Sequence, residues 1–111
     1  MEISRLEKEE IQEQFLDAIA NGDHKLVKKL LKKGAEIDGC NFYGQYPLHI
    51  AAERGQKKCV EILISAGAKP NVLDFEKLTP LSTAVLFNHI ECVKELLRLG
   101  ADTNKDIENS I

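Results

Sequence analysis

The sequence predicts an all-α solenoid of helix-turn-helix units joined by β-hairpin-like fingers. Three observations predict it. Laid over itself at an offset of 33 residues, the chain aligns Gly34 with Gly67 and Gly100, Ala18 with Ala51 and Ala84, and Val27 with Val60 and Val93. Leu30, Leu63 and Leu96 also coincide, as do Leu31, Ile64 and Leu97, and then Pro47 and Pro80. A register held over two full periods without an insertion marks a repeat architecture in which each unit contacts only its neighbours. Within a unit, apolar residues fall at helical spacing: Leu48, Ala51 and Ala52 stand at i, i+3 and i+4 and share one face. Proline and glycine then punctuate the pattern at fixed places.

In the first unit, Gln14-Phe15-Leu16-Asp17 stands where later units carry a proline. The pattern Ile11, Phe15, Ala18, Ile19 therefore runs backwards through Glu10 and Leu6, predicting a longer, charged first helix suited to cap the open end. Gly22 stops it, because a left-handed residue is wanted there. A second helix follows and stops at Gly34. In the next unit Tyr46-Pro47 marks the start; proline at the first helical position gives up no hydrogen bond. That helix ends at Gly55, and its partner, with Val60, Leu63 and Ile64 inward, ends at Gly67. In the third unit Thr79 can cap the amides ahead of Pro80, and Asn88 replaces the stop glycine. Small alanines on each first helix let the units stack closely. The stretches around Asp38 to Gln45 and Asn71 to Leu78 are short and turn-rich, and read as the fingers. The boundaries expected are an N-terminal helical extension over 1–13, units over 14–40, 41–73 and 74–106, and a tail over 107–111.

Composition narrows the function. A chain of 111 residues, 43% hydrophobic and 30% charged, fits one soluble domain. No apolar run approaches the roughly 18 residues of a membrane span. The start Met1-Glu2-Ile3-Ser4-Arg5 is unlike a signal peptide, so a cytoplasmic location is expected, with the nucleus also open to it. A net charge of −3 argues against nucleic acid, whose phosphates select basic faces. The basic run Lys25, Lys28, Lys29, Lys32 and Lys33 reads as a solvated helix face.

Pro47-Leu48-His49-Ile50-Ala51-Ala52 with Gly55, and Thr79-Pro80-Leu81 with Ala84, resemble the Thr-Pro-Leu-His-x-Ala signature of the ankyrin repeat. Gly67-Ala68 and Gly100-Ala101-Asp102 with Asn104 resemble its Gly-Ala-Asp-x-Asn ending. The resemblance covers about residues 14 to 105. It implies an L-shaped stack of helix pairs, fingers at right angles, and a concave surface for protein partners. It also implies that His49 hydrogen-bonds neighbouring finger backbone, and that Asn71 and Asn104 bond the turn of a finger. That asparagine is sometimes hydroxylated in the family; the structural role is the expectation here.

Chemistry has little to rest on. Cys59 and Cys92 share the repeat position of Leu26 and read as core, and Cys40 sits alone in a finger. Ankyrin units stack about 10 Å apart, beyond the roughly 7 Å limit between disulfide-linked α-carbons, so three free thiols are expected. No zinc spacing, phosphate loop or nucleophile–base series is present, and no enzyme activity, cofactor or metal is expected. His24 and His89 fall in turns and read as solvated.

Five of the six aromatics (Phe42, Tyr43, Tyr46, Phe75, Phe87) lie outside the inward positions; only Phe15 reads as core. The resemblance places Phe42, Tyr43 and Gln45, then Phe75, Glu76 and Leu78, on partner-facing finger positions. It places Glu53, Arg54, Leu86 and Phe87 beside them at the ends of the first helices. Aromatic and aliphatic clusters with an arginine are the composition of binding hot spots, each anchor worth about 2 kcal/mol or more. The expected partner is another protein, bound by a small adaptor or inhibitor. The third unit is followed only by Lys105 to Ile111, which leaves Leu81, Val85 and Leu97 without a polar capping repeat. Three arrangements satisfy that face: the tail folds over it, the chain is the targeting segment of a larger protein, or the face pairs with another copy as a homo-oligomer.

Overall fold

The structure, a computed structural model, describes residues 4–101. Asp102, Asn104 and the tail over 107–111 lie outside the described residues. Six helices occur among them, in order α1 (Arg5–Asn21), α2 (His24–Lys32), α3 (Pro47–Arg54), α4 (Lys57–Ser65), α5 (Pro80–Leu86) and α6 (Ile90–Arg98). They form two layers: α1, α3 and α5 pack side by side, and α2, α4 and α6 lie behind them, each against its own partner. The result is elongated, with principal extents of 47 × 24 × 20 Å.

Local chemistry sets the helix ends. Pro47 and Pro80 occupy the first turn of α3 and α5, where the absent N–H costs nothing. Thr79 Oγ1 accepts from the Ser82 amide at 3.1 Å, as the capping expectation requires. Ser4 does the same for Glu7 at the start of α1, which runs 17 residues because no proline interrupts it. Gly22 and Gly55 close α1 and α3 at φ 73° and 72°, and Asn88 follows α5 at φ 58°.

The core is the repeat seen edge-on. Phe15, Leu48 and Leu81 share one repeat position and all are buried, as are Ala18, Ala51 and Ala84, and Leu30, Leu63 and Leu96. Cys59 and Cys92 are buried free thiols and Cys40 is an exposed one. Burial is the main cause of the Cys59 thiol being pushed up to about 11, with the Asp23 charge adding to it. The lysines of α2 are exposed.

Two expectations are corrected. Leu81 is buried as a member of the core, because α5 packs against α3 and α6; the apolar residues left exposed in this last helix pair include Val85, Ile90 and Leu97. His89 is half-buried and bonded to protein rather than free in solvent. Its Nε2–H donates to the Glu53 carbonyl at 2.9 Å, and a Cβ on Gly55 would collide with the ring at 2.6 Å. Gln56, one repeat earlier, donates through Nε2 to the Ala20 carbonyl at 3.0 Å. This repeat position stitches each unit to the one before by bonding carbonyl groups near the end of its first helix.

Candidate functional site

Each finger is held shut by one short side chain. In the first, Asn41 Oδ1 accepts from the amides of Tyr43 and Gln45 at 2.9 and 3.0 Å, and the Asn41 amide donates to the Gln45 carbonyl at 2.9 Å. In the second, Asp74 Oδ1 accepts from the amides of Glu76 and Leu78 at 2.9 and 2.8 Å, and the Asp74 amide donates to the Leu78 carbonyl at 2.9 Å. These Asx-type turns leave no side-chain work for the residue at the tip. That residue is Phe42 in one finger and Phe75 in the other, one repeat apart, and both are largely exposed.

His49 positions the second finger. Its Nε2–H donates to the Leu78 carbonyl at 2.7 Å, and its Nδ1 accepts from the Tyr46 amide at 3.3 Å. The ring is fully buried, and burial is the main cause of its pKa lying below the usual 6.5, against opposing pulls from the Leu78 bond and the Asp74 charge. Protonation at Nδ1 would destroy the acceptor that Tyr46 uses, so the neutral form is the one that fits. Unit 1 has Leu16 at this position, and Gln12 replaces the histidine from one turn upstream. Gln12 donates to the carbonyls of Glu36 and Gly39 at 3.0 and 3.1 Å and accepts from the Glu36 amide at 2.7 Å.

The fingers approach closely at Gly44, where a Cβ would meet Cβ of Phe75 at 2.9 Å. Between the tips runs a groove of about 680 Å³ lined by Phe42, Tyr43, Gln45, Asp74, Phe75 and Glu76. Five of the ten residues expected at a partner surface thus meet in one place. The other five lie outside its lining. Glu53 accepts from Gln45 Nε2 at 3.3 Å, so these two are partly occupied with each other. Arg54 is exposed at the end of α3, Leu78 is half-buried, and Leu86 and Phe87 are exposed at the end of α5.

Asp74 was not among the expected contacts, and Asn41, Gln12 and Gln56 carry structural tasks that the sequence does not advertise. The offset of 33 does relate Asn41 to Asp74, and an Asx residue recurring at a finger base is the signal that finds them. Among the described residues no group of histidine, cysteine and carboxylate side chains could hold a metal ion. No helix among them is long and apolar enough to cross a membrane.

Stacked helix pairs, a glycine or asparagine at each turn and projecting fingers define a helical repeat solenoid of the kind that binds proteins. The sequence pattern of the family described as ankyrin repeats (3 copies) matches residues 15–107, and the chain belongs to that family. Ankyrin repeats are in general protein–protein interaction modules, not catalysts. No curated relative matches the chain.

Proposed function

We propose that this protein is a small adaptor or inhibitor of the cytoplasm that engages one partner protein through its fingers and first-helix ends. The contact residues are Phe42, Tyr43, Gln45, Glu53, Arg54, Phe75, Glu76, Leu78, Leu86 and Phe87. The observation that carries the reading is the exposure of Phe42, Tyr43 and Phe75 on turns that backbone and Asx hydrogen bonds already hold. Large aromatics in water with no internal task are the anchors from which interfaces are built. None of these ten residues belongs to the buried core, so the surface can be altered without unfolding the protein. Affinity capture from cell extract, followed by the same capture with Tyr43→Ala, Phe75→Ala and Phe87→Ala, tests it. Loss of the captured protein with the helical circular dichroism retained supports the surface; equal capture by all three variants removes it.

A second reading has its own observation. Val85, Ile90 and Leu97 are exposed on α5 and α6, the last helix pair described, where apolar residues fit pairing with a second copy. Sedimentation of the protein at high concentration decides it: a single monomeric species rules the pairing out.

A further inference from the structure

The groove between the fingertips has a charge as well as a shape. Its lining holds three aromatic rings and the carboxylates of Asp74 and Glu76, with Gln45 and no cationic side chain. The lysines and arginines nearest in sequence, Lys77 and Lys69, are both exposed and neither lines the groove. Asp74 uses one oxygen, Oδ1, to close its finger, through the amides of Glu76 and Leu78. Those bonds fix the carboxyl group, so its charge is presented to the groove at no further ordering cost.

Rings and carboxylates together select one kind of side chain. A guanidinium stacks on an aromatic face and pairs with carboxylate in the same plane; an ammonium ion does the first less well and the second as a point charge. Anionic or purely aliphatic occupants leave the two carboxylates unpaired in a partly desolvated cleft. From this complementarity we infer that the groove receives an arginine side chain of the partner, carried on an extended segment with an apolar neighbour that rests on Phe42 or Phe75. The inference deepens the interaction-surface reading and rests on it. Phe42, Tyr43 and Gln45 line the groove from the first finger and Phe75 from the second, where Asp74 and Glu76 supply the charge.

A library of short random peptides displayed on phage and selected on the intact protein tests it. The expected result is a recovered set with an arginine at one shared position beside an apolar residue. Fluorescence anisotropy with a labelled recovered peptide then reads the affinity. Changing that arginine to alanine weakens binding by about tenfold or more, its change to lysine weakens binding less, and added salt weakens binding throughout. The double variant Asp74→Asn, Glu76→Gln produces a similar loss, because an asparagine Oδ1 still closes the finger while the charge is gone. Peptides without a basic residue that nonetheless lose binding with Phe42→Ala overturn the arginine and leave the surface standing. Peptides whose binding is indifferent to Phe42→Ala, Tyr43→Ala and Phe75→Ala overturn the surface itself. A library that yields no binder overturns the arginine too, since a preformed groove of this chemistry selects one.

Discussion

The two ends of the stack face the same problem and meet it differently. Each unit has one side that its predecessor covers and one that its successor covers, and among the described residues the first and last units each show one side with no unit packed against it. At the N-terminal end the sequence changes. The position that is buried as Ile50 and Thr83 in the second and third units is held in the first by Asp17, which is exposed; the buried prolines Pro47 and Pro80 give way to exposed Gln14. At the C-terminal end the sequence does not change. Ile19 and Ala52 are both 0% exposed, while their counterpart Val85 is as apolar and 60% exposed. Leu97 repeats the point in α6, exposed where its counterparts Leu31 and Ile64 are half-buried. A solenoid needs a polar outer face on its caps. The described residues therefore include one finished end and one unfinished end, which shows that burial in a repeat protein belongs to the neighbour as much as to the residue.

The sharpest way to break the comparison is to make one change at both ends. Ile19→Ala deletes a buried side chain between α1 and its neighbours and costs about 2–5 kcal/mol. Val85→Ala at the equivalent position shifts stability within about 0.5 kcal/mol, as surface changes do. Urea midpoints measured at equal protein concentration read both, and equal losses would mean that Val85 is covered in solution. Next in size is Gln12→Ala. It strands the Glu36 amide and the Glu36 and Gly39 carbonyls, and about 1–3 kcal/mol follows if they stay unsatisfied. A loss near zero would show water taking over the three bonds.

The middle of the stack supplies a pH effect that the ends do not share. His49 has its folded pKa lowered from 6.5, so the unfolded chain binds a proton that the folded chain resists. Its contribution is fully present above about pH 6.5 and is lost as the pH falls towards the folded value, at up to about 1.4 kcal/mol per pH unit. Urea midpoints taken from about pH 7.5 down to about pH 5 fall for the native sequence, and His49→Gln flattens that part of the profile. Glu95 acts in a separate window. The hydrogen bond from Arg98 holds its carboxyl below the usual 4.5, so its contribution is lost only in more acid solution.

Much of this was legible in the residues. Proline at the first turn, glycine or asparagine after it, and apolar residues at repeat positions are rules of single helices, and Pro47, Gly55, Asn88 and the buried cysteines follow them without regard to what lies alongside. The cross-unit bonds were not legible. Gln56 and His89 look like ordinary polar residues at helix starts, and only the stacking brings the carbonyls of Ala20 and Glu53, each 36 residues earlier, within their reach. Leu81 looked exposed for the opposite reason, since the offset names its equivalents but not the side it faces. At the candidate site the aromatics were visible as residues without an inward task, whereas the carboxylate of Asp74 belongs to the groove only because it also closes a turn.

The smallest expected effect leaves stability untouched and reads the ends directly. In the folded protein Cys40 is exposed and open to a disulfide-exchange reagent, while Cys59 and Cys92 are buried with thiols raised above their ordinary range, chiefly by burial. Thiolate is the reactive form, so these two label only when their units open. Cys59 lies in α4, which has α2 on one side and α6 on the other within its layer; Cys92 lies in α6, which among the described residues has α4 on one side of that layer. Opening the last unit breaks one interface and opening the middle unit breaks two, so local openings concentrate at the unfinished end. In a Cys40→Ser background, Cys92 is expected to label at least about tenfold faster than Cys59 under native conditions, with mass spectrometry of the digested protein assigning each site. A common rate for the two thiols would mean that the stack opens as one cooperative body, and that the apolar residues left uncovered on α5 and α6 do not loosen the unit that bears them.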